Sequence, residues 1–174
     1  MNAAVDAFVG LGSNLGESVA TLRPAFAALD AAADTRVMRV SHFYRTPAWG
    51  VTEQPDFLNA VAMLPTALPP SRLLAAMPDT ERAAGRDRRA DGSDRWGPRT
   101  LDLDLLLYGE RVVDEPGLRV PHPHLHERAF ALVPLVEIAA DVVIPGIGSA
   151  RDALARMETA DIQALTYTDP PPDA

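Results

Sequence analysis

The stretch Leu101-Asp102-Leu103-Asp104-Leu105-Leu106-Leu107 alternates with a period of two, the pattern of an extended strand and not of a helix. Within a strand over 100–108, that period places Asp102 and Asp104 on one face, about 7 Å apart at Cα from the rise per residue. The leucines at 101, 103, 105 and 107 are expected to bury the opposite face. Two carboxylates beside so apolar a segment call for a partner, and Mg²⁺ with oxygen ligands is the usual one; the alternative is a strand whose second face is simply wet.

Upstream of this strand lies a polar loop, 86–99, containing Gly92, Gly97 and Pro98. From Arg82 to Arg99 there are six Arg against three Asp, a local excess of +3 in a chain of net charge −8. Guanidinium groups directly before a two-carboxylate strand supply both halves of a phosphoryl-transfer site, cationic donors and metal. A solvated charge run is the alternative. A helix is expected over 71–85, kinked or split by Pro78. Strands are expected over 36–46, with Met38, Val40, His42 and Tyr44 on one face, and over 57–64, with Phe57, Asn59, Val61 and Met63 together. A Pro- and Gly-rich loop joins them. Phe57 beside Asn59 offers an aromatic platform and a two-way amide, suited to a flat heteroaromatic ring, or else Phe57 packs in the core.

The first strand, 7–11, runs into Gly10-Leu11-Gly12-Ser13-Asn14-Leu15-Gly16, and the pair Asn14 and Glu17 resembles a capping box opening a helix to about 33. The glycine spacing misses G-x-G-x-x-G by one residue, which tells against a dinucleotide fold and leaves a tight strand-to-helix turn. After the aspartate strand come a Gly109-Glu110 turn, a return strand at 111–113, a His-rich loop at 121–126, a helix to about 140, a strand at 142–144 and a helix from 149. His122, His124 and His126 have neither Cys nor H-E-x-x-H spacing beside them, so contact with phosphate suits them better than zinc. The order of the first six elements, strand-helix-strand-strand-helix-strand, is that of an α+β ferredoxin-like antiparallel sheet with helices on one face; a strand and helix are added at the C-terminal end.

At 174 residues, the chain is expected to form one domain over 1–168 with a frayed tail at 169–174. The balance of 16 basic and 24 acidic side chains argues against nucleic-acid coating or polybasic membrane binding. All the basic residues are Arg, which removes P-loop lysine chemistry and Schiff bases but keeps bidentate phosphate binding. With no Cys there is no thiolate, disulfide or iron–sulfur chemistry. No apolar run is long enough to span a membrane and no secretory layout opens the chain, so a cytoplasmic, monomeric protein is expected.

Five segments together resemble a known family: Gly12-Ser13-Asn14-Leu15, Phe43-Tyr44-Arg45-Thr46-Pro47, Gln54-Pro55-Asp56-Phe57-Leu58-Asn59, the run from Arg95 to Asp104, and Val120-Pro121-His122-Pro123. They are similar, in order, to the 6-hydroxymethyl-7,8-dihydropterin pyrophosphokinases of folate biosynthesis. The resemblance implies a ferredoxin-like fold and transfer of diphosphate from ATP to the pterin hydroxymethyl group, with release of AMP and two Mg²⁺ ions. By position it implies that Asp102 and Asp104 hold the metal, and that Arg86, Arg88, Arg95, Arg99 and His122 lie along the triphosphate. It implies a pterin sandwiched by Phe57 and Phe130 and read by Asn59 with groups near Thr46, Pro47 and Ala48. Glu81, Trp96 and Leu105 would line the nucleotide side, and Arg128 would reach the transferred phosphates. Trp96 would close with its loop over the bound substrates. Two departures stand out: Pro78 occupies a position where the family often has Gln, and the loop between Arg88 and Arg95 is longer.

Two other readings use the same features. An RNA-recognition module shares the element order but needs a basic sheet face, which a chain of charge −8 with two carboxylates on that strand does not offer. A Mg²⁺-dependent phosphohydrolase would use the Asp pair without a heteroaromatic pocket.

Overall fold

The computed structural model describes residues 3–13, 25–31, 35–46, 57–83 and 102–164, with side chains described only as far as 78 in the fourth stretch. The loop 86–99, the capping box at Asn14 and the tail at 169–174 lie outside these residues, as do Pro47 and Ala48. In chain order the elements begin with β1 (Val5–Ser13), α1 (25–30), β2 (Arg39–Val40), β3 (Tyr44–Thr46), β4 (Phe57–Thr66), α2 (Pro70–Ala83) and β5 (Asp102–Tyr108). There follow β6 (Val113–Glu115), β7 (Leu118–Val120), a 3₁₀ turn (Leu125–Glu127), α3 (Ala129–Ile138), β8 (Val143–Ile144), β9 (Gly148–Ser149), α4 (Ala150–Ala155) and β10 (Gln163–Ala164).

The main sheet runs β10-β3-β4-β1-β5, with β2 also paired to β4, and every pairing is antiparallel. β1 is central because its neighbours reach it from both sides: Val9 stands opposite Ala62 of β4 and Leu105 of β5. Its side chains divide by the strand period. Ala7, Val9 and Leu11, all at 1% exposure or less, join Ala25, Phe26 and Leu29 of α1 and Leu73 and Met77 of α2 in one core. Phe8 points the other way, into a second core with Val61, Leu132 and Leu135 of α3 and Ala150 of α4. The sheet is therefore covered on both faces, where the sequence suggested helices on one. The reason is α3, whose buried Ala131, Leu132, Pro134, Leu135 and Ile138 give it a broad apolar face that only the second side of the sheet can receive.

Two strands depart from the simple period. Three residues lie between Val40 and Tyr44, while two lie between their partners Ala62 and Asn59, so one extra residue bulges at 41–43. There the Ser41 hydroxyl takes the Val61 N–H at 2.9 Å. The single strand expected over 36–46 is thus two short ones. Val40 packs in the first core, whereas Tyr44 turns to the opposite face, and Met38 is 48% exposed. In β5 the register slips between Phe8, opposite Leu107, and Val9, opposite Leu105. Leu103 and Leu105 join the first core as expected, but both Leu106 and Leu107 lie in the second, on the side of the aspartates. Leu101 lies outside the described residues.

Pro78 does not split α2, which runs unbroken from Pro70 to Ala83 with Pro78 on its exposed side. The return strand expected at 111–113 is instead β6, two residues later. It pairs with β7 through a turn whose Gly117 has φ +79, a value that Gly takes at little steric cost. β10 was not anticipated; its two residues pair with β3 and extend the sheet.

The second core rests on few large side chains, and Leu132 is among those fully buried. Leu132→Ala is expected to lower the unfolding free energy by about 2–5 kcal/mol, read as a drop in the urea midpoint with an unchanged slope. A shift of only a few tenths would mean that α3 is not packed as described.

Candidate active site

The aspartates and Asn59 meet across β1. Gly12 stands opposite Asn59 on one side and Asp102 on the other, and Gly10 stands opposite Val61 and Asp104. Because β1 has no side chain at either position on this face, a strip of bare backbone separates the amide from the carboxylates. The clearance is tight: a Cβ at Gly12 would lie 2.8 Å from Asn59 Oδ1 and 3.8 Å from Phe57 Cδ1, whereas one at Gly10 would meet only Leu106 at 3.4 Å. Sequence reasoning assigned these glycines to a turn. The signal available was their period of two inside a strand that continues to Ser13.

Asn59 does not swing freely. Its Nδ2 donates to Thr46 Oγ1 at 2.7 Å, which leaves Oδ1 facing the strip. Thr46 is 2% exposed and opposes Phe57, so β3 and β4 together place the hydroxyl, the amide and the half-buried Phe57 ring on one wall.

On the other wall, His122 is fastened to β5 by its backbone N–H, which donates to Leu106 O at 2.9 Å. Its Nδ1 accepts the His124 N–H at 3.2 Å, and Nε2 lies 3.9 Å from Asp104 Oδ1. Burial above all, then the charges of Arg128 and His124, push the imidazole down to about 4 against the opposing pull of Asp102. At neutral pH it is therefore uncharged. With Nδ1 occupied as acceptor, its proton sits on Nε2, aimed towards the aspartates. Arg128, at the N-cap of α3, brings Nη1 to 4.0 Å from Asp104 Oδ2 and sets its guanidinium 5.7 Å from the centre of the Phe130 ring. Phe130 packs against the second core, on the face shared by Asn59 and the aspartates.

Beside β5, the last strand of the sheet order, opens a cavity of about 630 Å³. Leu74 of α2, Leu103, Leu105 and Leu118 give it apolar lining, and Asp104 and His122 line it as well. Asp114 and Arg119 of the β6–β7 hairpin, paired at 3.2 Å, line it too. Leu105 and His122 were expected on the nucleotide side; Leu74, Leu118 and Arg119 were not singled out, because only the hairpin brings them there. Arg86, Arg88, Arg95, Arg99 and Trp96 lie outside the described residues, as does the side chain of Glu81.

The donor set fits a hard cation. Asp102 and Asp104 share one face, are each half-buried, and stand opposite Gly12 and Gly10, which carry no side chain. Among the described residues no cluster of three or more His, Asp or Glu converges as an all-protein cage. Mg²⁺ is commonly held by one or two protein carboxylates, with waters and substrate phosphates completing its shell.

Comparison with known proteins points the same way. The sequence profile of the 7,8-dihydro-6-hydroxymethylpterin-pyrophosphokinases matches residues 8–140. The chain is 45% identical over 159 residues to the 2-amino-4-hydroxy-6-hydroxymethyldihydropteridine pyrophosphokinase of Methylorubrum extorquens, covering 91% of this chain and 98% of that one. It is 42% identical over 141 residues to the Haemophilus influenzae protein of the same name, covering 81% and 86%. Among solved structures, wild-type Plasmodium falciparum HPPK-DHPS superposes with a TM-score of 0.71 at 11% identity. That match covers 90% of this chain and 45% of the longer one, and it speaks for the fold alone. The chain belongs to the 7,8-dihydro-6-hydroxymethylpterin-pyrophosphokinase family.

Proposed function

We propose that the strip over Gly12 receives 6-hydroxymethyl-7,8-dihydropterin, that the cavity around β5 receives ATP, and that diphosphate passes between them beside Asp102 and Asp104. The observation that carries this reading is the placement of the two carboxylates between an amide-and-aromatic wall and an apolar cavity, reached from opposite sides of one strand. The sheet order β5-β1-β4-β3 supports the ferredoxin-like description of the four central strands, with β10 added outside.

In this reading Phe57 and Phe130 stack on the pterin, and Asn59, oriented by Thr46, pairs with its donor-and-acceptor edge, together with Pro47 and Ala48 of the following loop. Leu105 and the neighbouring leucines enclose the adenine, with Glu81 and Trp96 on the same side. Asp102 and Asp104 would hold two Mg²⁺ ions, which when bound supply charge neutralisation to the triphosphate. The hydroxymethyl oxygen bonds to the β-phosphorus while the bond from that phosphorus to the bridging oxygen of AMP breaks, and the hydroxyl proton leaves to solvent. Neutral His122 donates through Nε2 to a phosphate oxygen. Arg128, with Arg86, Arg88, Arg95 and Arg99, meets the charge that develops on the departing group. The substrates are small molecules and the unit is a monomer. Among the described residues no helix is long and apolar enough to cross a membrane.

The direct test is product analysis. Incubation with ATP, Mg²⁺ and the dihydropterin should release AMP in step with pterin diphosphate, and stoichiometric ADP would overturn the reading. Asp102→Asn and Asp104→Asn should each lower kcat by about a hundredfold or more with a small change in pterin affinity, since an amide is a poor Mg²⁺ ligand. Wild-type turnover in either variant removes the metal role.

A second pair of variants reads the strip itself. In Gly12→Ala the new methyl must displace Asn59 Oδ1, the atom turned towards the strip, so pterin KM should rise about tenfold while ATP KM holds. Gly10→Ala, which meets only the flexible tip of Leu106, should be milder. Equal effects would place the pterin elsewhere.

A further inference from the structure

The last turn of α3 carries a polar cluster that the reaction, as described, does not use. Glu137 accepts the His42 backbone N–H on both oxygens, at 3.1 and 2.8 Å; its Oε1 also receives His42 Nδ1 at 2.5 Å and the Tyr44 hydroxyl at 2.7 Å. One residue on, the Ile138 carbonyl accepts Arg39 Nη1 at 3.1 Å. The C-terminal end of α3 is thus tied at two points to the segment from β2 to β3: by Arg39, which its register in β2 already places on this side, and by His42 and Tyr44, within and just after the bulge at 41–43.

What this end of the helix holds in place lies at its other end. α3 has ten residues, with Pro134 inside it, and runs unbroken over about 15 Å, so its two ends belong to one element. Its N-terminal turn presents Arg128 and Phe130, one beside Asp104 and the other on the face shared with Asn59. Apolar packing of Leu132, Leu135 and Ile138 fixes how close α3 lies to the sheet, but that attraction is non-directional and leaves sliding and rotation weakly determined. The bonds from Glu137 are directional. They end on His42 and Tyr44, and Tyr44 stands opposite Asn59 and two residues before Thr46, the hydroxyl that orients the Asn59 amide.

We propose that Glu137 is a positioning residue for the pterin side of the site: by clamping α3 to His42 and Tyr44 it sets where Phe130 stands relative to Asn59. This rests on the reading that pterin binds over Gly12. Burial first, and then the bond to Glu137 and its charge, push the Tyr44 phenol well above its ordinary range, so it remains a donor throughout the working pH. The Glu137 side chain is 24% exposed, and neither it nor its partners His42 and Tyr44 belong to either core, so the clamp can be removed without opening a core.

The test uses the full chain and steady-state kinetics with each substrate varied in turn. Glu137→Ala should raise the KM for 6-hydroxymethyl-7,8-dihydropterin about tenfold, leaving ATP KM and kcat within about twofold, as expected when one aromatic wall is displaced. Tyr44→Phe, which deletes a single hydroxyl, should do the same by about threefold, and the rise in the double variant should be less than the product of the two single rises. A merely structural role would lower the melting temperature and the active fraction with both KM values unchanged, and that result overturns the proposal. If Glu137→Ala does not fold, Tyr44→Phe decides: unchanged pterin KM in that variant also overturns it. Wild-type protein that fails to turn over this pterin contradicts the functional reading instead, so the two failures are separable.

Discussion

The rest of the structure depends on β1 having two unlike faces. Ala7, Val9 and Leu11 must be buried for α1 and α2 to have anything to pack against, and each stands at 1% exposure or less. On the other face, Gly10 and Gly12 must lack side chains for Asn59 to lie close over β1 opposite the aspartates. Both demands fall on one central strand. The same pairings that close the core therefore fix the site, and β1 cannot slip by a residue without exchanging leucine for glycine on each face.

Two one-residue irregularities then adapt the regular sheet to its task. The bulge at 41–43 turns Tyr44 away from the face used by Val40 and towards α3, which makes the Glu137 cluster possible. The slip in β5 adds Leu107 to the face that Leu106 already shares with Asp104. A carboxylate site thereby grades into an apolar seat for α3 within four residues of one strand. Bulges of this kind re-aim side chains at the cost of a local break in the ladder, and here the Ser41 hydroxyl repairs part of that break by taking the Val61 N–H.

Much of this was legible in the sequence, for reasons that differ by element. The period of two from Asp102 to Leu105 marks a strand and its carboxylate face, because a strand has no other way to arrange those residues. Phe57 and Asn59 share a face for the same reason. The period also misled at Leu107, Val40 and Tyr44, since an inserted residue changes the face without changing composition. α3 was expected as a helix, but its place on the far side of the sheet follows from long-range packing that no local pattern encodes. The cavity's Leu74, Leu118 and Arg119 come together only once the β6–β7 hairpin folds against α2 and β5. Glu137 carries no motif at all; it gains its role from a partner 95 residues away in sequence.

The central claim is that Asp102 and Asp104 hold the catalytic metal at the edge of a glycine floor shared with Asn59. Mn²⁺, added with a non-hydrolysable ATP analogue to ¹⁵N-labelled protein, tests this through distance-dependent line broadening in NMR spectra. Broadening should be strongest at the amides of Gly10, Gly12, Leu103, Leu105 and His122, should reach the Asn59 side chain next, and should vanish in Asp104→Asn. Broadening centred instead on His124, His126 and Glu127, with Gly10 and Gly12 left sharp, would contradict the account.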